Sequence, residues 1–97
     1  MADDILHRVK LALRIIHDKL DQDLQADIDA CLADLELCGV ENAPVTDPLI
    51  FNAVKLWCRS LYTDDPTKSA AYMQRYDALK ASLMGATGYG REEDADA

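Results

Sequence analysis

The chain is short of most features that mark specialised protein classes. Its 97 residues include three Pro and four Gly, too few for a collagen-like or low-complexity chain. Hydrophobic residues make up 49% of it, too many for a wholly disordered one. The apolar runs are only a few residues long, whereas a membrane span needs about 20. Basic residues are scarce: ten Lys and Arg stand against eighteen Asp and Glu, for a net charge of −8. A surface of that sign repels phosphate, so tight nucleic-acid binding through a basic face is not expected. The opening Met1-Ala2-Asp3-Asp4 is acidic where an export signal would carry basic residues before a long apolar stretch, so a cytosolic origin is expected. A disulfide framework is missing too, because the three cysteines, Cys31, Cys38 and Cys58, are odd in number and widely spaced. Cys31 and Cys38 on one helix stand about 10 Å apart at ~1.5 Å per residue, beyond the ~7 Å a bridge allows. All three are expected to pack as small apolar groups.

What remains is helical grammar. A chain of this size supports one modest core, burying roughly 60–65% of its unfolded surface. Ile5, Leu6, Val9, Ala12, Leu13 and Ile16 recur at helical spacing, giving a first helix from about residue 4 to 16 that Asp3 or Asp4 caps. Lys10 and Arg14 fall on its more polar side. Leu11 and Ile15 widen its apolar surface beyond one stripe, as for a helix that touches more than one neighbour. Leu24, Ile28, Cys31, Leu35 and Cys38 step by four, three, four and three, a coiled-coil-like seam in a second helix from about 19 to 38. Asp18 is its expected cap, and Gly39 its left-handed stop.

Asn42 and Pro44 break the chain, and Asp47-Pro48 restarts it with a cap and a proline at the first helical position. The third helix runs to about Tyr62, with Leu49, Ile50, Ala53, Val54, Trp57, Cys58 and Leu61 facing inward. Asp64-Asp65-Pro66 is the next break. The fourth helix, about 67 to 84, carries Tyr72, Met73, Tyr76, Leu79 and Leu83, and Gly85 stops it. No stretch alternates with period two. The expected fold is all-α, a small bundle of about four helices over residues 1–84, with a flexible, Gly-containing acidic tail over 85–97 whose one anchor is Tyr89.

The chemistry of catalysis is not written in this pattern. His7 and His17 lie ten residues apart, on different sides of any shared helix, with no Cys or His at zinc spacing. Asp21, Asp23, Gln25, Asp27 and Asp29 imitate alternate positions of a calcium loop, but Ala26 stands where that loop needs Gly and Leu32 where it needs Glu. An acidic solvated helix face is the better reading. There is no glycine-rich phosphate loop, no nucleophile elbow and no Cys–His pair. Neither catalytic, metal nor cofactor-binding residues are assigned. Trp57, Tyr62, Tyr72 and Tyr76 are core candidates, with a subunit interface as the functional option, since aromatics are enriched there.

Several segments together resemble one family. Ile5-Leu6-His7-Arg8-Val9-Lys10-Leu11-Ala12-Leu13-Arg14-Ile15, the acidic helix ending Leu37-Cys38-Gly39-Val40, the Asp47-Pro48-Leu49-Ile50-x-x-Ala53-Val54 start, and Tyr72 to Leu83 are similar to phage head–tail connector (DNA-packaging adaptor) proteins. The resemblance covers about residues 4 to 84. It implies a structural virion protein, assembled in the host cytoplasm, that forms a homo-oligomeric ring, usually of about twelve copies, through a heterologous interface. Such a ring sits under the portal after packaging, extends the DNA channel and meets a head-completion or tail protein. DNA passes through without sequence-specific binding, helped by an acidic wall that offers it no adhesive minimum. On this reading the interface residues are Leu11, Ile15, Tyr72, Tyr76 and Tyr89, the last as the tail's grip on the portal. Two readings compete. One is a small cytoplasmic helical regulator that dimerises and binds a protein partner. The other is a helix-turn-helix DNA binder relying on Lys55 and Arg59, which Asp64 and Asp65 oppose.

Overall fold

A computed structural model describes residues 2–40 and 47–85, with the backbone alone for residues 2–4. Among the described residues the regular structure is helical throughout: α1 (Ala2–Leu13), α2 (Asp21–Leu37), α3 (Pro48–Tyr62) and α4 (Pro66–Gly85). The all-α expectation therefore holds. The tail beyond Gly85, including Tyr89, lies outside the described residues, as does the Asn42–Pro44 break.

The two Pro-led helices start by one device. Asp47 stays extended and its Oδ1 accepts the Leu49 amide at 2.8 Å, while Pro48, lacking an N–H, takes the first helical position. Asp65 and Pro66 repeat this at α4, where the Asp65 Oδ1 accepts the amides of Thr67 and Lys68 at 2.9 and 3.3 Å. By sequence alone the Asp64-Asp65-Pro66 triplet marks only a break. At α2 the expected cap fails. Leu20 occupies the cap position with no side-chain bond, and Asp18 instead receives the Lys10 ammonium at 2.9 Å. Asp3 and Asp4 lie inside α1 rather than ahead of it.

α3 is the central helix and packs on the other three, most extensively on α4. It runs parallel to α1, since Arg8 lies over the Phe51 ring at 4.0 Å and Arg59 Nη2 donates to the Ala12 carbonyl at 3.2 Å. It runs antiparallel to α4: Ser69 donates to the Ser60 carbonyl at 2.7 Å, and Trp57 meets Tyr76 edge-on with ring centroids 5.2 Å apart. It is antiparallel to α2 as well, because Tyr62 at the C-terminus of α3 donates to Asp27 in the first half of α2 at 2.6 Å. One end of the bundle thus gathers the C-termini of α1 and α3 with the N-termini of α2 and α4. The other end gathers the remaining four.

The α2 seam forms as its spacing requires: Leu24, Ile28, Cys31 and Leu35 are fully buried. They meet Ile50, Ala53, Val54 and Cys58 of α3, Val9 of α1, and Tyr76 and Leu83 of α4 in one core. Burial pushes the Cys31 and Cys58 thiols up to about 12, which suits inert apolar groups. Cys38 is half-buried, and all three thiols are free. Two residues expected on the inner face of α3, Leu49 and Leu61, are instead exposed, and Leu56 is buried in their place. Leu56 is buried because α3 is sandwiched rather than packed on one side, whereas Leu49 and Leu61 lie in its terminal turns.

Candidate functional site

The first helix stops three residues early, and that stop builds the site. Arg14 adopts φ +60°, the left-handed region that a side chain makes costly. Its amide bonds back to Leu11 at 3.2 Å and that of Ile15 to Lys10 at 2.9 Å. These are the two bonds of a Schellman closure, with Arg in the position glycine normally fills. The chain then turns away from the core. Ile16, expected on the inner face of α1, is 95% exposed and half-buried Ile15 lines the turn.

Between this turn and the facing helices lies an open groove of about 460 Å³. Leu13, Arg14 and Ile15 form one wall, with Leu20 from the approach to α2. Arg59 and Tyr62 at the end of α3, with Tyr72 of α4, form the other. Arg59 is fixed there by its bond to Ala12, which satisfies a carbonyl at the C-terminus of α1 and sets a positive charge at the negative end of that helix. A guanidinium carries five donors, and this bond uses one. With Arg59 tied to α1 and Lys55 leaning on the Phe51 ring at 5.9 Å, the two cations do not form the free basic face of a recognition helix.

The turn itself is held by charge. The Lys10 ammonium sits 2.9 Å from Asp18 and 2.8 Å from Asp21, so Lys10 stitches α1 to α2 instead of pointing to a polar side as expected. Its hydrogen bonds to Asp21 and Asp18 raise its pKa, and the same ammonium lowers that of Asp18. The carboxylates of α2 divide by role. Asp27 and Asp34 turn inward to accept tyrosine hydroxyls, whereas Asp23, Asp29 and Glu36 are exposed. The supposed calcium positions lie in continuous helix, and among the described residues no three metal-ligating side chains converge.

Of the five residues assigned to an interface, the structure joins two: Ile15 and Tyr72 share the groove. Leu11 is on α1, 64% exposed. Tyr76 is fully buried and hydrogen-bonds Asp34 at 2.7 Å, with Lys80 on the same carboxylate at 3.0 Å. Burial, and then donation to Asp34, hold its phenol above the ordinary tyrosine range. It has no surface of its own to give a neighbour, and the patch inferred on α4 reduces to Tyr72. Spacing could not separate the two, since both fall on the same helical stripe. Tyr62, one of the aromatics with an interface as its functional option, also lines the groove, whereas Arg14, Arg59 and Leu20 carry no sequence signal for it, since nothing local marks the end of α1 at Leu13.

Exposed apolar side chains collect at the two ends of the bundle. Leu11, Ile16 and Leu61 stand at the groove end, whereas Leu37, Leu49 and Met84 stand at the opposite end. No helix among the described residues is long and apolar enough to cross a membrane. Among known proteins, the family model described as phage connector protein matches residues 5–90. No curated protein and no solved structure matches the chain. A family match over nearly the whole chain, on an all-helical body whose loose apolar residues sit at its two ends, makes this a member of the phage connector protein family.

Proposed function

We propose that the protein is a structural, non-enzymatic virion component that assembles into a closed ring at the head–tail junction. The observation that carries this is the pair of unlike apolar ends. A ring needs a heterologous contact, one surface meeting a different surface of the next copy. Leu11, Ile15, Ile16 and Tyr72 around the groove supply one such surface, and Leu37, Leu49 and Met84 supply the other. A two-fold dimer would need only one self-complementary patch. Closure with about twelve copies is the assembly that the connector role implies, with DNA passing through its centre. The exposed Asp23, Asp29 and Glu36 add to a net charge of −8, which leaves passing DNA nothing to adhere to. The portal on one side, and a head-completion or tail protein on the other, are the partners of this reading, with assembly in the host cytoplasm.

Light scattering of the concentrated protein, followed by negative-stain imaging alone and with portal particles, tests it. Rings, either free or on the portal, are the expected result. A persistent monomer that ignores portal particles contradicts the reading, and a stable two-fold dimer points to the regulator instead.

A further inference from the structure

We propose that the groove beside Arg14 receives residues 86–97 of a neighbouring copy. The Tyr89 ring lies on its apolar wall, and the carboxylates of Glu92 and Glu93 face Arg14 and Arg59. The proposal rests on the ring reading above and names the contact that locks one subunit to the next.

Three observations converge on this occupant. The first is complementary chemistry. The groove pairs aliphatic and aromatic side chains, Leu13, Ile15, Leu20 and Tyr72, with two guanidiniums. The segment after Gly85 pairs one aromatic, Tyr89, with four carboxylates and a single Arg. On a body with an excess of acid, a site with two arginines and an apolar wall is where such a segment finds opposite charge.

The second is reach. Four residues carry the chain from Gly85 to Tyr89, at most about 14 Å at ~3.3–3.6 Å each. Thirteen helical residues separate Gly85 from Tyr72, about 20 Å at ~1.5 Å each. The backbone at Tyr89 therefore falls short of its own groove. Gly85 ends α4 at the bundle end that carries Leu37, Leu49 and Met84, and on the ring reading that end meets the groove end of the next copy.

The third is Arg14 itself. It holds a left-handed position at a helix end where Gly or Asn would sit without strain, and it lines the groove. Its charge suits the negative end of α1, as that of Arg59 does, but the backbone strain is a cost that Gly or Asn would avoid and that contact with an acidic ligand offsets.

The test uses the full chain with Tyr89→p-benzoylphenylalanine, mixed from isotopically light and heavy copies at ring-forming concentration and irradiated. Cross-links between light and heavy copies at Ile15, Leu20 or Tyr72 are expected. Arg14→Glu should cut their yield about fivefold, the scale of losing and then opposing an exposed ion pair. Adding Glu92→Arg and Glu93→Arg to Arg14→Glu should restore it. Cross-links elsewhere, cross-links confined to one copy, or indifference to Arg14→Glu would overturn the docking. Light scattering on the same sample separates the two ideas: rings with cross-links outside the groove defeat the docking alone. If no rings form and no mixed cross-links appear, the ring reading fails and the docking with it.

Discussion

Two helices in this bundle end in the same hydrogen-bond pattern and are finished in opposite ways. At the end of α2, Gly39 takes φ +93°, and the amides of Gly39 and Val40 return to Glu36 at 3.0 Å and Leu35 at 2.9 Å. The chain then tucks Val40 into the core at 1% exposure. At the end of α1, Arg14 takes the same region of φ, and the chain throws Ile16 into solvent. The first end is sealed by buried chemistry: Asp34, in the last turn of α2, accepts the fully buried Tyr76 hydroxyl. The second is sealed by the Lys10 ion pairs, with Asp18 almost fully solvated. One end is built for stability. The other keeps backbone strain beside its exposed apolar surface, and since Leu37 is exposed at the first end too, strain rather than exposure sets the two apart.

Substitution should separate the two ends, and the largest effect belongs to the sealed one. Leu35→Ala removes a fully buried side chain beneath Gly39 and should cost about 2–5 kcal/mol by chemical denaturation. Ile16→Ser at the other end should leave the unfolding free energy within about 0.5 kcal/mol. If the two losses match, the contrast is wrong.

Tyr76→Phe comes next, at about 1–3 kcal/mol, because it strips a hydrogen bond from a carboxylate. Its pH dependence carries a sign. Donation from Tyr76, then the Lys80 contact, lowers the Asp34 pKa below its unfolded value of about 4. That stability is present above about pH 4 and is lost as pH falls through the folded value. The Tyr76 phenol is raised, so its contribution is complete below about pH 10, the unfolded tyrosine value, and declines above it. Denaturation midpoints across pH should show both slopes in the wild type and neither at full size in Tyr76→Phe. Lys10→Met should give a smaller loss that shrinks with added salt, as surface pairs do.

Of similar size, and opposite in sign to each other, are the effects of the two caps. Gly39→Ala has open space for its Cβ, so its cost is the backbone alone, about 1 kcal/mol. Arg14→Gly should stabilise by a similar amount, about 1 kcal/mol, while weakening ring formation in light scattering. A stabilised variant that still assembles normally would remove strain at Arg14 as a mark of function.

Much of this was legible in the residues, and the failures have causes. The α2 seam, the Asp47-Pro48 start and the Gly39 stop each rest on a local rule with its signal in view. The end of α1 does not, because a Schellman closure without Gly or Asn leaves the helical pattern running on through Ile15 and Ile16. That one miss hid the groove, since Leu13, Arg14, Ile15 and Arg59 meet only when the chain turns at Arg14. It also misassigned Asp18, which the turn brings to Lys10 and away from any cap. Tyr72 and Tyr76 show another limit: one stripe of α4 supplies both a groove wall and a core residue, and only packing on α3 tells them apart.

The central claim is that the Arg14 end is kept for contact between copies. Light scattering of wild type and of the double variant Leu11→Ser, Ile16→Ser, at matched high concentration, tests it most directly. The account predicts rings from the wild type and monomers from the variant, with equal unfolding midpoints. A variant that assembles as fully as the wild type would contradict it.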